Sequence, residues 1–225
     1  MSDDPMVEVH FTPELTDPVM IVAMDGWIDA GAGAANAMAA LMSTTGAETV
    51  AEFDADRLLD HRARRPVMHL VNGLITGLTW PSIELRAGTD AAGNDVLLLI
   101  GAEPDFEWQT FADAVVDIAD DYECRMIVGL GAYPAPVAHT RPTALSVTTS
   151  SADLSATLHG YVRGTLDVPG GIHAVIDVVA NEAGIPAVGL WALGAHWWAP
   201  LRHRALSWAT AAAELTIVVQ VVLGV

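Results

Sequence analysis

The sequence contains no lysine. Its 10 basic residues are all arginine, set against 28 acids. That excludes a Schiff-base lysine and the lysine of a phosphate-binding loop. Cysteine is nearly absent too: Cys124 stands alone, so there is no internal disulfide and no multi-cysteine metal site. The eight histidines include no H-x-x-x-H pair, and no G-x-S-x-G elbow occurs. No metal and no cofactor are expected. The opening MSDDP is acidic and lacks the apolar run of a secretory signal. With a single cysteine, this predicts a cytoplasmic protein. A net charge of −18 repels nucleic acid and anionic lipid, so neither is an expected partner. The excess sits early: residues 1–60 hold 12 acids against Arg57.

What is present is an α/β pattern. A chain of 225 residues is long enough to bury a large core and is read as one domain, 1–225. The central stretch is Val19–Met42. Val19 to Met24 is a continuous apolar run, as in a strand covered on both faces. Gly26 breaks it, Asp29 can cap the next helix, and Ala30–Met42 predicts that helix as a close-packed one. Further strands are expected at Met6–Phe11, Glu48–Phe53, Pro66–Val71, Ser82–Ala87, Asp95–Gly101, Met126–Leu130, Thr143–Thr149 and Pro186–Leu193. The turn-rich Gly88–Asn94 makes Ser82–Ala87 and Asp95–Gly101 a hairpin, so the sheet is mixed. Asp54–Asp60 predicts a helical turn, and Asp105 a cap for a helix over Phe106–Tyr122. Ser151–Leu158 predicts a short capped helix. Val168-Pro-Gly-Gly171 opens another that Gly184 stops. From Met126 the chain is expected to leave its strand at GAYPAPVAHTRP, a proline-broken loop.

The end of the chain is read as helical from about 200. Ala205–Val225 carries one charge, Glu214, and is long enough to span a membrane. Glu214 near its middle and the absence of a basic flank after it favour a buried or subunit-facing helix. Its last turns are apolar on nearly every face, Val218 and Val222 included, which predicts cover from a neighbouring subunit.

Three motifs bear on function. Gly31-Ala-Gly33-Ala-Ala-Asn36 nearly matches a dinucleotide fingerprint, but its first glycine comes late and Asn36 replaces the third. Small residues packing a helix on a sheet explain it equally. Asp25, Asp29, Glu103, His139, Arg141 and His196 each follow a strand, so they are expected on one rim, where open α/β sheets bind ligands. There a histidine between carboxylates could move protons and Arg141 could hold an anion, or the same groups could simply tie loops together. One such tie would be a Glu103–Arg141 ion pair. Seven tryptophans are many, and Trp197-Trp198 lies in a loop-like stretch that suits an interface. The basic HRARRP at 61–66 reads as surface or intersubunit charge pairing, or as an anion site.

Taken together, DGWIDAGAGA, GAEPDFEW, HTRP and GGIHAVIDVVANEAGIPAVGLWA resemble the proteasome assembly chaperone type-two family in its bacterial branch. The resemblance implies a mixed, mostly parallel sheet flanked by helices, similar to the nucleoside phosphorylase-like fold. It implies a non-enzymatic protein that binds protein partners, proteasome-related in type, and forms homo-oligomers, with a trimer preferred over a dimer. By position the family's patterned residues include Trp27, Asp29, Glu103, Trp108, His139 and Arg141. The alternative, from a different class, is an enzyme or binder of a nucleoside-like or anionic ligand at the strand-end rim. Some chaperones dock through a hydrophobic-tyrosine tail; Leu223-Gly-Val225 does not match one.

Overall fold

The computed structural model describes residues 5–26, 29–135, 144–158, 165 and 167–195. Trp27, His139, Arg141, His196, Trp197, Trp198, Val218, Val222 and the helix expected from about 200 lie outside these residues.

The central strand is β2 (Val19–Asp25), buried throughout except at Asp25. Its side chains alternate between two cores. Val19, Ile21 and Ala23 face α1 (Gly33–Thr45), meeting Ala34, Met38 and Leu41. Met20, Val22 and Met24 face the opposite layer, which holds Phe111, Val115, Ile172 and Ile176. That layer is built from α3 (Trp108–Asp121) and α5 (Ile172–Ala183). A strand buried on both faces can be apolar at every position, which is why the run is unbroken.

Around β2 the sheet has eight strands. β1 (Val7–Val9), β3 (Glu48–Phe53), β6 (Ile83–Thr89) and β7 (Asp95–Ala102) lie on one side. β8 (Met126–Ala135), β10 (Ala187–Ala195) and β9 (Ala144–Thr148) lie on the other, in the order β1-β3-β6-β7-β2-β8-β10-β9. The middle four, β7, β2, β8 and β10, are parallel. The outer strands are antiparallel, including the β6–β7 hairpin. The mixed sheet with a parallel centre is the architecture expected from the sequence.

Several local readings hold. Asp54 caps α2 (Ala55–Leu58) through the Arg57 N–H, and Ser151 caps α4 (Ala152–Thr157) through the Leu154 N–H. Gly184, in the left-handed region, ends α5. Asp29 does cap α1, although a 3₁₀ turn at Ala30–Ala32 intervenes. Its two carboxylate oxygens accept the N–H groups of Ala34 (2.8 Å) and Ala35 (3.0 Å).

Two readings need correction. Asp105 does not cap α3: the helix starts at Trp108 after Glu107, which is left-handed with no capping side chain. The Asp105 carboxylate is taken instead by the Asp60 N–H and the Arg64 guanidinium. The strand at Met126 does not end at Leu130 but runs to Ala135, through Pro134. β2 pairs with β8 only as far as Gly129, so the proline lies where no N–H is required on that side. The strand expected to end at Val71 does end there. The chain continues into a hairpin of β4 (Val67–Val71) and β5 (Leu74–Thr79), a separate two-stranded sheet. Among the described residues no helix is long and apolar enough to cross a membrane.

Candidate functional site

The carboxyl ends of the parallel strands form a rim, and Glu103 is its centre. The residue follows β7 directly and is buried at 6% exposure. Its N–H donates to the Asp25 carbonyl at the end of β2 (3.1 Å). Its carboxylate Oε1 accepts the N–H of Ile172, the first residue of α5, at 2.9 Å. The α5 N-terminus has no capping side chain of its own. Glu103 therefore supplies an acceptor, and a negative charge, where the helix dipole favours both. The other carboxylate oxygen lies against Gly26, where a methyl group would overlap it. Close approach is thus what requires glycine after β2.

Trp108 opens α3 beside this point, and its indole N–H donates to the Pro104 carbonyl (2.6 Å). His173, the next residue of α5 after Ile172, lies beneath the rim and is buried. Its Nε2 is 3.3 Å from the Val22 carbonyl, and burial pushes its pKa down to about 4, so the ring is neutral at pH 7. The ring meets Trp191 edge-on at 6.0 Å, and the Trp191 indole N–H donates to Thr148 Oγ1 at 2.8 Å.

On the α1 side of the sheet the rim borders a cleft of about 320 Å³. Ala23, Met38, Met42 and Ile100 give it an apolar lining, and Asp25 and Asp29 are its charged residues. Both Asp29 oxygens are engaged by the first turn of α1. The donors that a nucleotide phosphate would use there already hold a carboxylate.

Of the residues expected on the rim, Asp25 and Glu103 meet through the main chain, Asp25 and Asp29 line one cleft, and Trp108 is tied to Pro104 next to Glu103. Chemically, this group orders backbone. Glu103 is committed to Ile172, and His173 is buried and neutral. Among the described residues no three His, Cys, Asp or Glu side chains are placed to hold a metal ion.

The sequence pattern does not announce the second feature of this end. β6 runs antiparallel to β7 and starts opposite its end, so residues 54–82, hairpin included, emerge beside the rim. Their root is pinned to the Glu103–Glu107 loop. Arg57 pairs with Glu107 and Arg64 with Asp105. Burial works against the Asp105 charge, but Arg64 and the Asp60 N–H outweigh it and hold its carboxyl below the usual range. The basic 61–66 stretch is therefore, in part, charge pairing within the chain. The signal for the hairpin is Asn72-Gly73. Both residues have positive φ (50° and 83°), as a two-residue type I′ turn requires.

A protein-family profile matches residues 23–224 as the PAC2 family. The chain belongs to the PAC2 family. Solved structures agree with the assignment. A proteasome-assembly chaperone homologue of Mycobacterium tuberculosis is 32% identical, with 92% of this chain and 86% of that one covered and a TM-score of 0.82. A PAC2 family protein of Streptomyces avermitilis is 29% identical over 91% of this chain and 95% of its own, with a TM-score of 0.75. Pyrococcus furiosus PbaB, described as an archaeal proteasome activator, shares the fold at 16% identity, with 96% of each chain covered and a TM-score of 0.65. Comparison with curated proteins gives no match. For this PAC2 chain, the family match takes in every described element from α1 onward.

Proposed function

We propose that this chain is a non-enzymatic protein-interaction module of assembly-chaperone type, acting in the cytoplasm as a homo-oligomer on proteasome-related subunits. The observation that carries the reading is the PAC2 match over residues 23–224, joined by 32% identity to the mycobacterial chaperone homologue. The rim supports it: its central carboxylate and histidine are buried and tied to backbone, as in a scaffold. Trp27, Asp29, Trp108, His139, Arg141 and His196 form the partner rim in this reading, with Glu103 holding it in shape. Trp197, Trp198, Val218 and Val222 are assigned to contact between subunits, with a trimer preferred. Co-expression of the full chain with its cognate proteasome subunits, followed by co-purification, tests the proposal. A stoichiometric complex is expected; no complex with any of those subunits would defeat it.

The cleft of about 320 Å³ favours a second reading, a site for a small nucleoside-like ligand. With Asp25 and Asp29 as its charged residues, an anionic ligand fits it poorly. A thermal-shift screen decides, since a ligand at 100 times its dissociation constant adds about 2.7 kcal/mol of stability. No shift at millimolar nucleoside would sink this reading.

A further inference from the structure

Among the described residues, the β4–β5 hairpin stands apart from the eight-stranded sheet as a sheet of its own. An isolated two-stranded hairpin is marginal in water. Here every residue of both strands except Gly77 is exposed, and most are apolar. The pairing register assigns them to faces. Val67 faces Thr79 and His69 faces Gly77 on one side, where His69 Nε2 also meets Thr79 Oγ1 at 2.7 Å. After the bulge beyond His69, Leu70 pairs with Ile75, and Met68 with Leu78. The second face is therefore Met68, Leu70, Ile75 and Leu78, with no polar side chain among them. Their exposures run from 47% to 60%, and Leu74 and Val71 beside the turn reach 68% and 57%. The four residues of this face are each about half exposed and present an apolar patch of roughly 400 Å², the size that marks an interaction site on a monomer.

Charge identifies the occupant. The hairpin rises from the basic stretch 61–66, where Arg62 and Arg65 are exposed and make no ion pair among the described residues. Its partner must be apolar and acidic. This chain carries such a surface. β1 is an edge strand of the main sheet, with Val9 and Phe11 exposed, and Glu8, Glu48 and Glu52 are exposed on β1 and β3. β1 starts where β3 ends, since the Asp54 N–H donates to the Met6 carbonyl. From there β1 runs along β3 toward the other end of the sheet, so the acidic edge is set apart from the hairpin root, and the hairpin of one subunit meets the edge of the next head to tail, as a closed ring of identical subunits needs. Residues 196–225 match poorly: Glu214 is their one acid, beside Arg202 and Arg204.

We propose that the apolar face of the β4–β5 hairpin docks on the acidic β1 edge of a second copy of this chain. This rests on the homo-oligomer reading above and names its surface. Sedimentation velocity of the full chain tests it, alongside Leu70→Asp/Ile75→Asp and Arg62→Glu/Arg65→Glu, each checked by circular dichroism. An oligomer is expected for the wild type, a folded monomer for the apolar pair, and at least tenfold weaker association for the charge pair. If the apolar pair fails to fold, the charge pair alone decides. A wild-type monomer at 100 µM would overturn both this inference and the homo-oligomer reading. A folded variant of either pair that keeps wild-type association would overturn the hairpin alone.

Discussion

Glu103 and Ile172 are 69 residues apart in sequence and 2.9 Å apart in space, carboxylate to main-chain N–H. The contact ties the end of β7 to the start of α5. Glu103→Gln keeps an acceptor but removes the charge at the helix N-terminus, a loss of about 1 kcal/mol. Glu103→Ala leaves a buried N–H unmatched and should cost about 2–3 kcal/mol. Denaturant midpoints measure both. Unchanged midpoints would mean that the contact does not hold the rim.

Gly26 and Glu103 should be coupled. Gly26→Ala places a methyl group on the Glu103 carboxylate and is expected to cost about 1–3 kcal/mol. In a Glu103→Ala background most of that cost should vanish, because the obstructing group is gone. A double-mutant cycle reads the coupling directly. Additive losses would contradict the geometry.

His173 predicts a pH dependence. The folded chain resists protonating this ring until about pH 4, whereas the unfolded chain takes the proton near pH 6.5. The unfolded state therefore binds more protons between those values, and stability falls as pH drops from 6.5 to 4. The contribution is about 3 kcal/mol across the window. Chemical denaturation at pH 7, 5.5 and 4.5 should show it. His173→Gln should flatten the slope, whatever it costs at pH 7.

Cys124 should be inert in the native state. Burial pushes its thiol up to about 12, so at pH 8 it carries roughly a thousandfold less thiolate than a free cysteine. A disulfide-exchange reagent should react with it only as the chain unfolds. Fast native labelling would show that the site opens.

The fold is legible in sequence where one face of an element has one job. Val19–Met24 announces a doubly covered strand because every position is apolar, and the alternation of its two cores confirms why. Asp29 and Ser151 are legible as caps because a cap acts within a few residues. Asp105 misleads for the same reason in reverse: its pattern suits a short-range cap, and a guanidinium 41 residues away takes the carboxylate. Glu103 falls on the rim as its position after a strand predicts, but its partner is a backbone group on a distant helix, which no local pattern marks. The β4–β5 hairpin is only half legible. Its strands lack the apolar–polar alternation of a half-buried sheet, and only Asn72-Gly73 marks the turn.

The sheet order also has a consequence for how the chain is made. β2 is complete by residue 25, yet its partners β7 and β8 lie at 95–102 and 126–135. At about 5–20 residues per second, a ribosome needs roughly 4–14 s to reach β7 after finishing β2. Throughout that interval this apolar strand has neither neighbour. Nascent chains halted before residue 95 should therefore be cut by protease within Val19–Asp25, and chains carrying β8 should be protected there. A protein read as a helper of assembly would then depend, during its own synthesis, on whatever shields that strand first.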